Sequence, residues 1–324
     1  MQTQKTELLE RILSCPVCNS STRYVQGSFH CNSCNSVYPY YDQSILEILP
    51  PEPLSFSTDE RSAYHEAIYH HLFRTGIGEA DPGKSWARPE LVPEGWRNVK
   101  YRHVDFIYKL IGEATGKRHI YCDFTGSSGY YTFEMSKHFD WVLHCDLSMD
   151  SLLYAQQKAA EQNIHNILFI RADYFRPPFN HVLDLVYCGD TLIYSPSHEH
   201  LLLAGMYQAL KSGGVAVFDL HNWWHNPIRR LGLLPNNNGK CYSYNRFKAD
   251  AMVRKHFPRF RRTGYYQEFP SGKLPGWIPR LFPNTRHTYI ARKEANVASI
   301  DAVAAAREGQ LDSSAPAMKS ARRR

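Results

Sequence analysis

The middle of the chain alternates short apolar runs with longer stretches whose apolar residues recur at helical spacing. His119–Phe124, Trp141–Asp146, Ile167–Ile170, Leu183–Cys188 and Val215–Leu220 read as strands. Tyr130–His138, Met149–Gln162 and His198–Leu210 read as the helices between them; in the second, Leu152, Leu153, Ala155 and Ala159 fall on or near one face. This alternation predicts an α/β fold: a mostly parallel, doubly wound sheet covered on both faces, with ligands bound outside the carboxyl ends of its strands. Further along, Tyr244–Phe257 reads as a helix, and Gly264–Phe269 and Thr288–Arg292 as strands. Upstream, Asp59–Phe73 and Arg102–Thr115 read as helices, and Gly76–Gly95 as a loop.

The first fifty residues follow another pattern. Cys15-Pro-Val-Cys18 and Cys31-Asn-Ser-Cys34 are two C-x2-C pairs with twelve residues between them. Two such knuckles place four thiolates around one tetrahedral point, as zinc prefers, and four thiolates leave no position open for water. A structural zinc held by Cys15, Cys18, Cys31 and Cys34 is therefore expected, with Asn19–His30 as a β-hairpin turning at Gly27. Cys122, Cys145, Cys188 and Cys241 show no ligand spacing. The first three lie inside apolar runs and read as small buried hydrophobes.

Candidate chemistry gathers at the strand ends. The first strand runs into Asp123-Phe124-Thr125-Gly126-Ser127-Ser128-Gly129, where small residues let backbone approach a ligand and the next helix opens with free N–H groups. The second strand ends in Asp146, 17 residues after Gly129. An acid there can accept hydrogen bonds from both hydroxyls of a ribose. The third strand leads into Asp173-Tyr174, an acid able to accept from an adenine amino group and a ring able to cover the base. The fourth ends in Cys188-Gly189-Asp190. The fifth follows Lys211-Ser212-Gly213-Gly214 and runs into His221-Asn222-Trp223-Trp224. His221 stands where a general base toward a hydroxyl or amine would act; a histidine bonded only to backbone is the other reading.

In this order the stations resemble class I S-adenosylmethionine-dependent methyltransferases over roughly residues 117–293. The stretch through Tyr38-Pro39-Tyr40-Tyr41-Asp42 and Ile45–Pro50 is similar to the small zinc ribbon that precedes several bacterial methyltransferases, and to the zinc-bearing activator subunit of some RNA and protein methyltransferases. The resemblance implies a seven-stranded Rossmann-like sheet whose last strand is antiparallel, with S-adenosylmethionine as cofactor. It implies that Asp123, Gly126, Ser127 and Gly129 hold the methionine part, Asp146 the ribose, and Asp173 and Tyr174 the adenine. Gly189 would face the cofactor, and Asp190 and His221 would be the catalytic candidates. It also implies a zinc ribbon at 1–50, a linker and helical lid at 51–116, the core at 117–293 and a disordered tail at 294–324. Thr125 and Ser127 stand where the family's first motif usually has glycine, and Gln43 stands where the ribbon usually has one. The G-x-G-x-x-G of nicotinamide dehydrogenases is absent.

Composition adds exclusions: 43% hydrophobic and 21% charged residues rule out wholesale disorder, collagen and a disulfide miniprotein. No apolar run approaches the roughly 18 residues of a membrane span, and the opening MQTQKTELLERIL carries charge where a signal peptide is apolar. A cytoplasmic protein without a transmembrane segment is expected. Charge is uneven: residues 226–293 hold 15 Lys+Arg against 2 Asp+Glu, whereas residues 1–225 hold 18 against 25. Such a stretch suits a phosphate, carboxylate, RNA or anionic lipid, with Arg229, Arg230 and Arg246 as candidates, and suits equally a solvated surface. His65, His70 and His71 read as a surface helix face, and Leu274–Pro283 as a packed loop.

The expected activity is methyl transfer to an oxygen or nitrogen of an anionic small-molecule, sugar or lipid-linked acceptor. Gly189-Asp190-Thr191-Leu192 is not the Asn-Pro-Pro-Tyr type of exocyclic-amine methylases. Two alternatives stay open: a ribosomal RNA guanine methyltransferase, suggested by the ribbon and by Gly129–Thr132, and an inactive methyltransferase-fold module that binds RNA or a partner.

Overall fold

The computed structural model describes residues 2–57, 60–77, 92, 94–116, 119–192, 198–221, 246–265 and 286–294. The chain opens with α1 (Gln2–Ile12), whose Leu8, Leu9 and Ile12 turn into the core. The hairpin β1 (Thr22–Val25) and β2 (Ser28–Cys31) follows, then β3 (Val37–Tyr41) and β4 (Ile45–Ile48). Next come α2 (Glu60–Thr75) and α3 (Glu94–Ala114). The alternating region forms β5 (Ile120–Asp123), α4 (Tyr130–Met135), β6 (Trp141–Asp146), α5 (Met149–Glu161), β7 (Ile167–Ala172), β8 (Leu183–Cys188), α6 (Glu199–Ala209) and β9 (Leu210–His221). It closes with α7 (Arg246–Arg254), β10 (Phe260–Tyr265) and β11 (Arg286–Arg292).

The expected seven-stranded sheet is present in the order β7-β6-β5-β8-β9-β11-β10, parallel from β7 through β9, with β11 antiparallel between β9 and β10. Every residue of β5, β7 and β8 is buried, as a sheet covered on both faces requires. Cys122, Cys145 and Cys188 lie in this core as free thiols.

Two features go beyond the sequence expectations. The chain opens with a helix, α1, ahead of the ribbon. The ribbon also extends the sheet: β4 pairs parallel with β7, from Ile45↔Phe169 to Ile48↔Ala172, and β1–β3 continue outward to give 11 strands. Arg171 on β7 secures this junction. Its guanidinium donates to Glu47 on β4 at 2.7 Å, to the Leu72 and Phe73 carbonyls at the end of α2, and through Nε to the Leu147 carbonyl just after β6.

Some boundaries move. The strand expected from Gly264 begins at Phe260 and takes in Arg261 and Arg262, because an edge strand can hold long cations toward solvent. α3 begins at Glu94 rather than Arg102. On α2, His65 is buried and His70 bonds the Leu54 carbonyl, so only His71 keeps the exposed position expected of all three. Among the described residues no helix is long and apolar enough to cross a membrane. Asn222–Trp224, Arg229, Arg230, Cys241, Leu274–Pro283 and the tail 295–324 lie outside the described residues.

Candidate active site

A cavity of about 380 Å³ opens at the carboxyl ends of the parallel strands, where such sheets hold ligands. One side is the turn after β5. Gly126 is required there: a Cβ at this position would lie 2.3 Å from the ring of His144, which fills the space beneath the turn. Gly129 (φ 87°) turns the chain into α4 in the left-handed region, where glycine is favoured. Ser127 takes the same hand at φ 47°, and its N–H donates to Asp146 Oδ2 at 2.8 Å. Asp146 Oδ1 accepts from the Ser148 N–H, also at 2.8 Å. Burial pushes the Asp146 carboxyl up, against these two hydrogen bonds.

Beneath the turn runs a buried chain of polar groups. Thr132 Oγ1 lies 3.0 Å from Asp123 Oδ2 and 2.6 Å from His144 Nδ1, and His144 Nε2 lies 3.1 Å from the Ser127 carbonyl. Burial lowers His144 to about 4, so the imidazole is neutral. Thr132 Oγ1 donates to Asp123 Oδ2, and the protonated nitrogen of His144, Nε2, reaches the Ser127 carbonyl. Burial raises Asp123 to about 7, against the Thr132 hydrogen bond that favours its carboxylate. Asp123 Oδ1 and Ser128 Oγ are buried without a hydrogen-bond partner among the described residues.

The other side is assembled from distant parts of the chain. Arg286, at the start of β11, donates to Asp219 Oδ2 at 2.7 Å and to Asp190 Oδ1. Lys100 on α3 donates to Asp190 Oδ2 at 3.1 Å and stands 4.8 Å from the centre of the Tyr131 ring. The Asp190 N–H donates to Asp219 Oδ1 at 2.7 Å, a contact made possible by the left-handed backbone at Asp190 (φ 59°). Burial opposes the charge on Lys100, but Tyr131 and Asp190 hold its ammonium above the usual lysine range. Tyr131 Oη lies 2.5 Å from His103 Nδ1.

In the ribbon, the Sγ atoms of Cys15, Cys18, Cys31 and Cys34 lie within 4.8 Å of one another. The Val17 N–H points at Cys15 Sγ (3.4 Å), and the Ser33 and Cys34 N–H groups point at Cys31 Sγ (3.3 and 3.4 Å). The Tyr38 hydroxyl is 2.9 Å from Cys15 Sγ. Four sulfurs ringed by donors that favour the thiolate form fit a structural zinc.

Residues 122–214 match the family model described as a methyltransferase domain. Those residues thus carry a methyltransferase domain. No curated protein matches it. Among solved structures, the methyltransferase is similar to the Haemonchus contortus phosphoethanolamine N-methyltransferase 2 in complex with phosphomonomethylethanolamine and S-adenosylhomocysteine: 13% identity, 62% of this chain, TM-score 0.47. The match spans 58% of that protein's length. The magnesium protoporphyrin IX methyltransferase of Synechocystis PCC 6803, with bound S-adenosylhomocysteine, is 15% identical over 73% of this chain and 100% of its own (TM-score 0.47). A Pyrococcus horikoshii protein is 11% identical over 66% and 97% (TM-score 0.49). Likenesses this distant bear on neither substrate nor mechanism.

Of the residues expected from sequence, the methyltransferase cavity gathers Gly126, Ser127, Asp146, Gly189 and Asp190. Asp123 and Gly129 support the turn from behind. Asp173 and Tyr174 are not brought to the cavity. Asp173 accepts from the Tyr69 hydroxyl, Arg176 Nε and the Phe175 N–H, each at 2.9 Å, and Tyr174 packs among Tyr69 and Phe175. The backbone of His221 pairs with Arg286 at the end of β9, while its side chain lies outside the described residues.

Sequence reasoning missed Lys100, His103, Tyr131, Tyr187 and Arg286, all of which line the cavity. Starting α3 at Arg102 left Lys100 off the helix, and Arg286 was one cation among fifteen. The cavity fits S-adenosylmethionine at the turn: Gly126 allows close approach, Asp146 offers lone pairs to hydroxyls, and the unpartnered Ser128 Oγ on the cavity wall supplies a further polar contact.

Proposed function

We propose that this methyltransferase acts on an oxygen or nitrogen of an anionic acceptor, whether a small molecule, a sugar or a lipid-linked group. When bound, S-adenosylmethionine supplies an electrophilic methyl group on a sulfonium. Backbone at Gly126 and Ser127 would position the methionine end and Asp146 the ribose hydroxyls. Gly189 and Asp190 would lie beside the reacting atoms, where proximity supplies much of the acceleration.

The observation that carries the acceptor class is the presence of Lys100 and Arg286 on the wall of the same cavity. Both are engaged by Asp190, so an acceptor carboxylate or phosphate can take the place of that side chain between two cations already in position. We place the ribbon at 1–50, the linker and lid at 51–116, the core at 117–293 and a tail at 294–324. Four free thiolates on a metal suit the reducing cytoplasm.

The test is transfer of labelled methyl into extract fractionated into RNA, lipid and small-molecule pools. Label in an anionic non-RNA product is expected. Label confined to ribosomal RNA would overturn the acceptor class. Binding of S-adenosylhomocysteine with no transfer to any pool would point to an inactive binding module.

A further inference from the structure

Tyr131, His103 and Asp219 form a chain of titratable groups on the acceptor side. Tyr131 Oη meets His103 Nδ1 at 2.5 Å; His103 Nε2 stands 3.9 Å from Asp219 Oδ2, an ion-pair distance too long for a hydrogen bond, and that oxygen also accepts from Arg286 at 2.7 Å. The three side chains come from α4, α3 and β9 and are 5%, 3% and 0% exposed. Tyr131 and His103 line the same cavity as Gly126 and Asp146. Phe106 stacks on the imidazole and Tyr265 lies 4.5 Å from it, ring centre to ring centre, so aromatic neighbours hold the ring while its nitrogens point along the chain. A buried phenol, imidazole and carboxylate in series form a polar network that packing alone does not call for, since apolar side chains would fill the space without loss of hydration.

The geometry points to Tyr131 as the group that takes the proton of the acceptor's hydroxyl or amine, with His103 as the positioning residue that takes the phenol's proton in turn. Asp219 stabilises the imidazolium that results. This rests on the methyl-transfer reading and narrows it to acceptors that must lose a proton. As the acceptor oxygen or nitrogen bonds to the methyl carbon, the carbon–sulfur bond breaks and its electron pair stays on sulfur. The acceptor's proton passes to Tyr131 Oη, the phenol's proton passes to His103 Nδ1, and the imidazolium later releases a proton to water. Burial raises Tyr131, while the Lys100 ammonium over its ring favours the developing phenolate. Among the described residues, the other charged or titratable groups facing the pair are Asp190, Tyr187, Tyr265 and Arg286.

The relay has a readout that needs no acceptor. In full-length protein carrying ¹³C-labelled tyrosine and histidine, the Tyr131 Cζ resonance should move as His103 titrates, and that movement should vanish in His103→Gln. A Tyr131 signal indifferent to the imidazole would overturn the relay. In the extract assay, the wild-type rate should fall on the acid side as the imidazole takes its proton from solvent. Tyr131→Phe and His103→Gln should each lower the rate about 10²-fold and flatten that limb, with affinity for S-adenosylhomocysteine retained. A lowered rate with an unaltered pH profile, or wild-type rates in both variants, would overturn the relay while leaving methyl transfer standing. No labelled product from wild-type protein would overturn methyl transfer itself and the relay with it. If a variant fails to bind S-adenosylhomocysteine, the wild-type spectrum decides.

Discussion

The two sides of the cavity are built on opposite electrostatic plans. The proposed cofactor side comes from one short stretch, residues 123–148, and relies on backbone N–H groups, a buried acid, Asp123, and a half-buried one, Asp146, neither of which faces a cation at hydrogen-bond distance among the described residues. The acceptor side joins α3, α4, β8, β9 and β11, with residues up to 186 positions apart, and balances Lys100 and Arg286 against Asp190 and Asp219. The first side leaves polar atoms in want of a ligand. On the second, the charges satisfy one another. Under the function proposed above, a cofactor would bind by addition, whereas an anionic acceptor would bind by substitution for Asp190 in an existing ion pair.

The sharpest way to break this contrast is to remove the acceptor side's central cation. Arg286 is 8% exposed and bonds both carboxylates. Arg286→Met should strand two neighbouring acids and destabilise the protein by about 3–5 kcal/mol in urea unfolding. Lys100→Met should lose only about 0–1 kcal/mol, because that ion pair is partly solvated, with side chains 20% and 29% exposed. Equal losses would show that the network is not centred on Arg286.

The same contrast explains what could be read from the sequence. The cofactor side is local: a strand, a turn and an acid follow one another in a fixed order, so Gly126, Ser127 and Asp146 were visible as a unit. The four zinc ligands were visible for the same reason, being two local knuckles. Lys100, His103 and Arg286 have no local pattern, since only the return of β11 between β9 and β10 brings Arg286 to the end of β8. Asp173 shows the reverse case. Its position after the third strand suits an adenine site, but in the structure Tyr69 from α2 and Arg176 hold its oxygens, and no periodicity in the chain announces that contact. The docking of β4 on β7 was likewise hidden, because a parallel pairing across more than a hundred residues leaves no turn signal.

A second test uses pH to sharpen the difference. Burial lifts Asp123 to about 7 in the folded protein, against about 3.9 in an unfolded chain. The folded state thus holds this proton where the unfolded state has released it. Stability should fall as pH rises from about 4 toward 7, by about 1.4 kcal/mol per pH unit from this group, and then level off. Asp123→Asn should remove that slope. Denaturant unfolding from pH 4 to 8 measures it, and an unchanged slope in the variant would place the uncompensated acid elsewhere.

Asp146 offers a third, smaller effect, on binding. Asp146→Ala removes the acceptor for any ribose hydroxyl and also frees the Ser127 and Ser148 N–H groups. Loss of hydrogen bonds to a charged group should weaken S-adenosylhomocysteine about ten- to a hundredfold, roughly 1.5–3 kcal/mol, by calorimetry. Asp190→Asn, on the acceptor side, should leave that affinity close to wild type. If the two variants lose affinity equally, the sides are not separable in the way their geometry indicates.

The smallest effect separates backbone strain from ligand contact. Ser127 and Gln43 both occupy the left-handed region, at φ 47° and 57°, where resembling proteins usually place glycine. A left-handed L-residue costs about 1–2 kcal/mol, and the greater freedom of glycine in the unfolded chain takes back about 0.5–1 of that. Ser127→Gly and Gln43→Gly should therefore each stabilise the fold by at most about 1.5 kcal/mol. Only Ser127 lines the cavity. If its hydroxyl donates to the cofactor's carboxylate, Ser127→Gly should weaken S-adenosylhomocysteine severalfold while raising the unfolding midpoint, whereas Gln43→Gly should raise the midpoint and leave binding alone. A Ser127→Gly protein that is both more stable and equally tight would mean that the turn binds through its backbone, and that serine there contributes nothing to offset its strain.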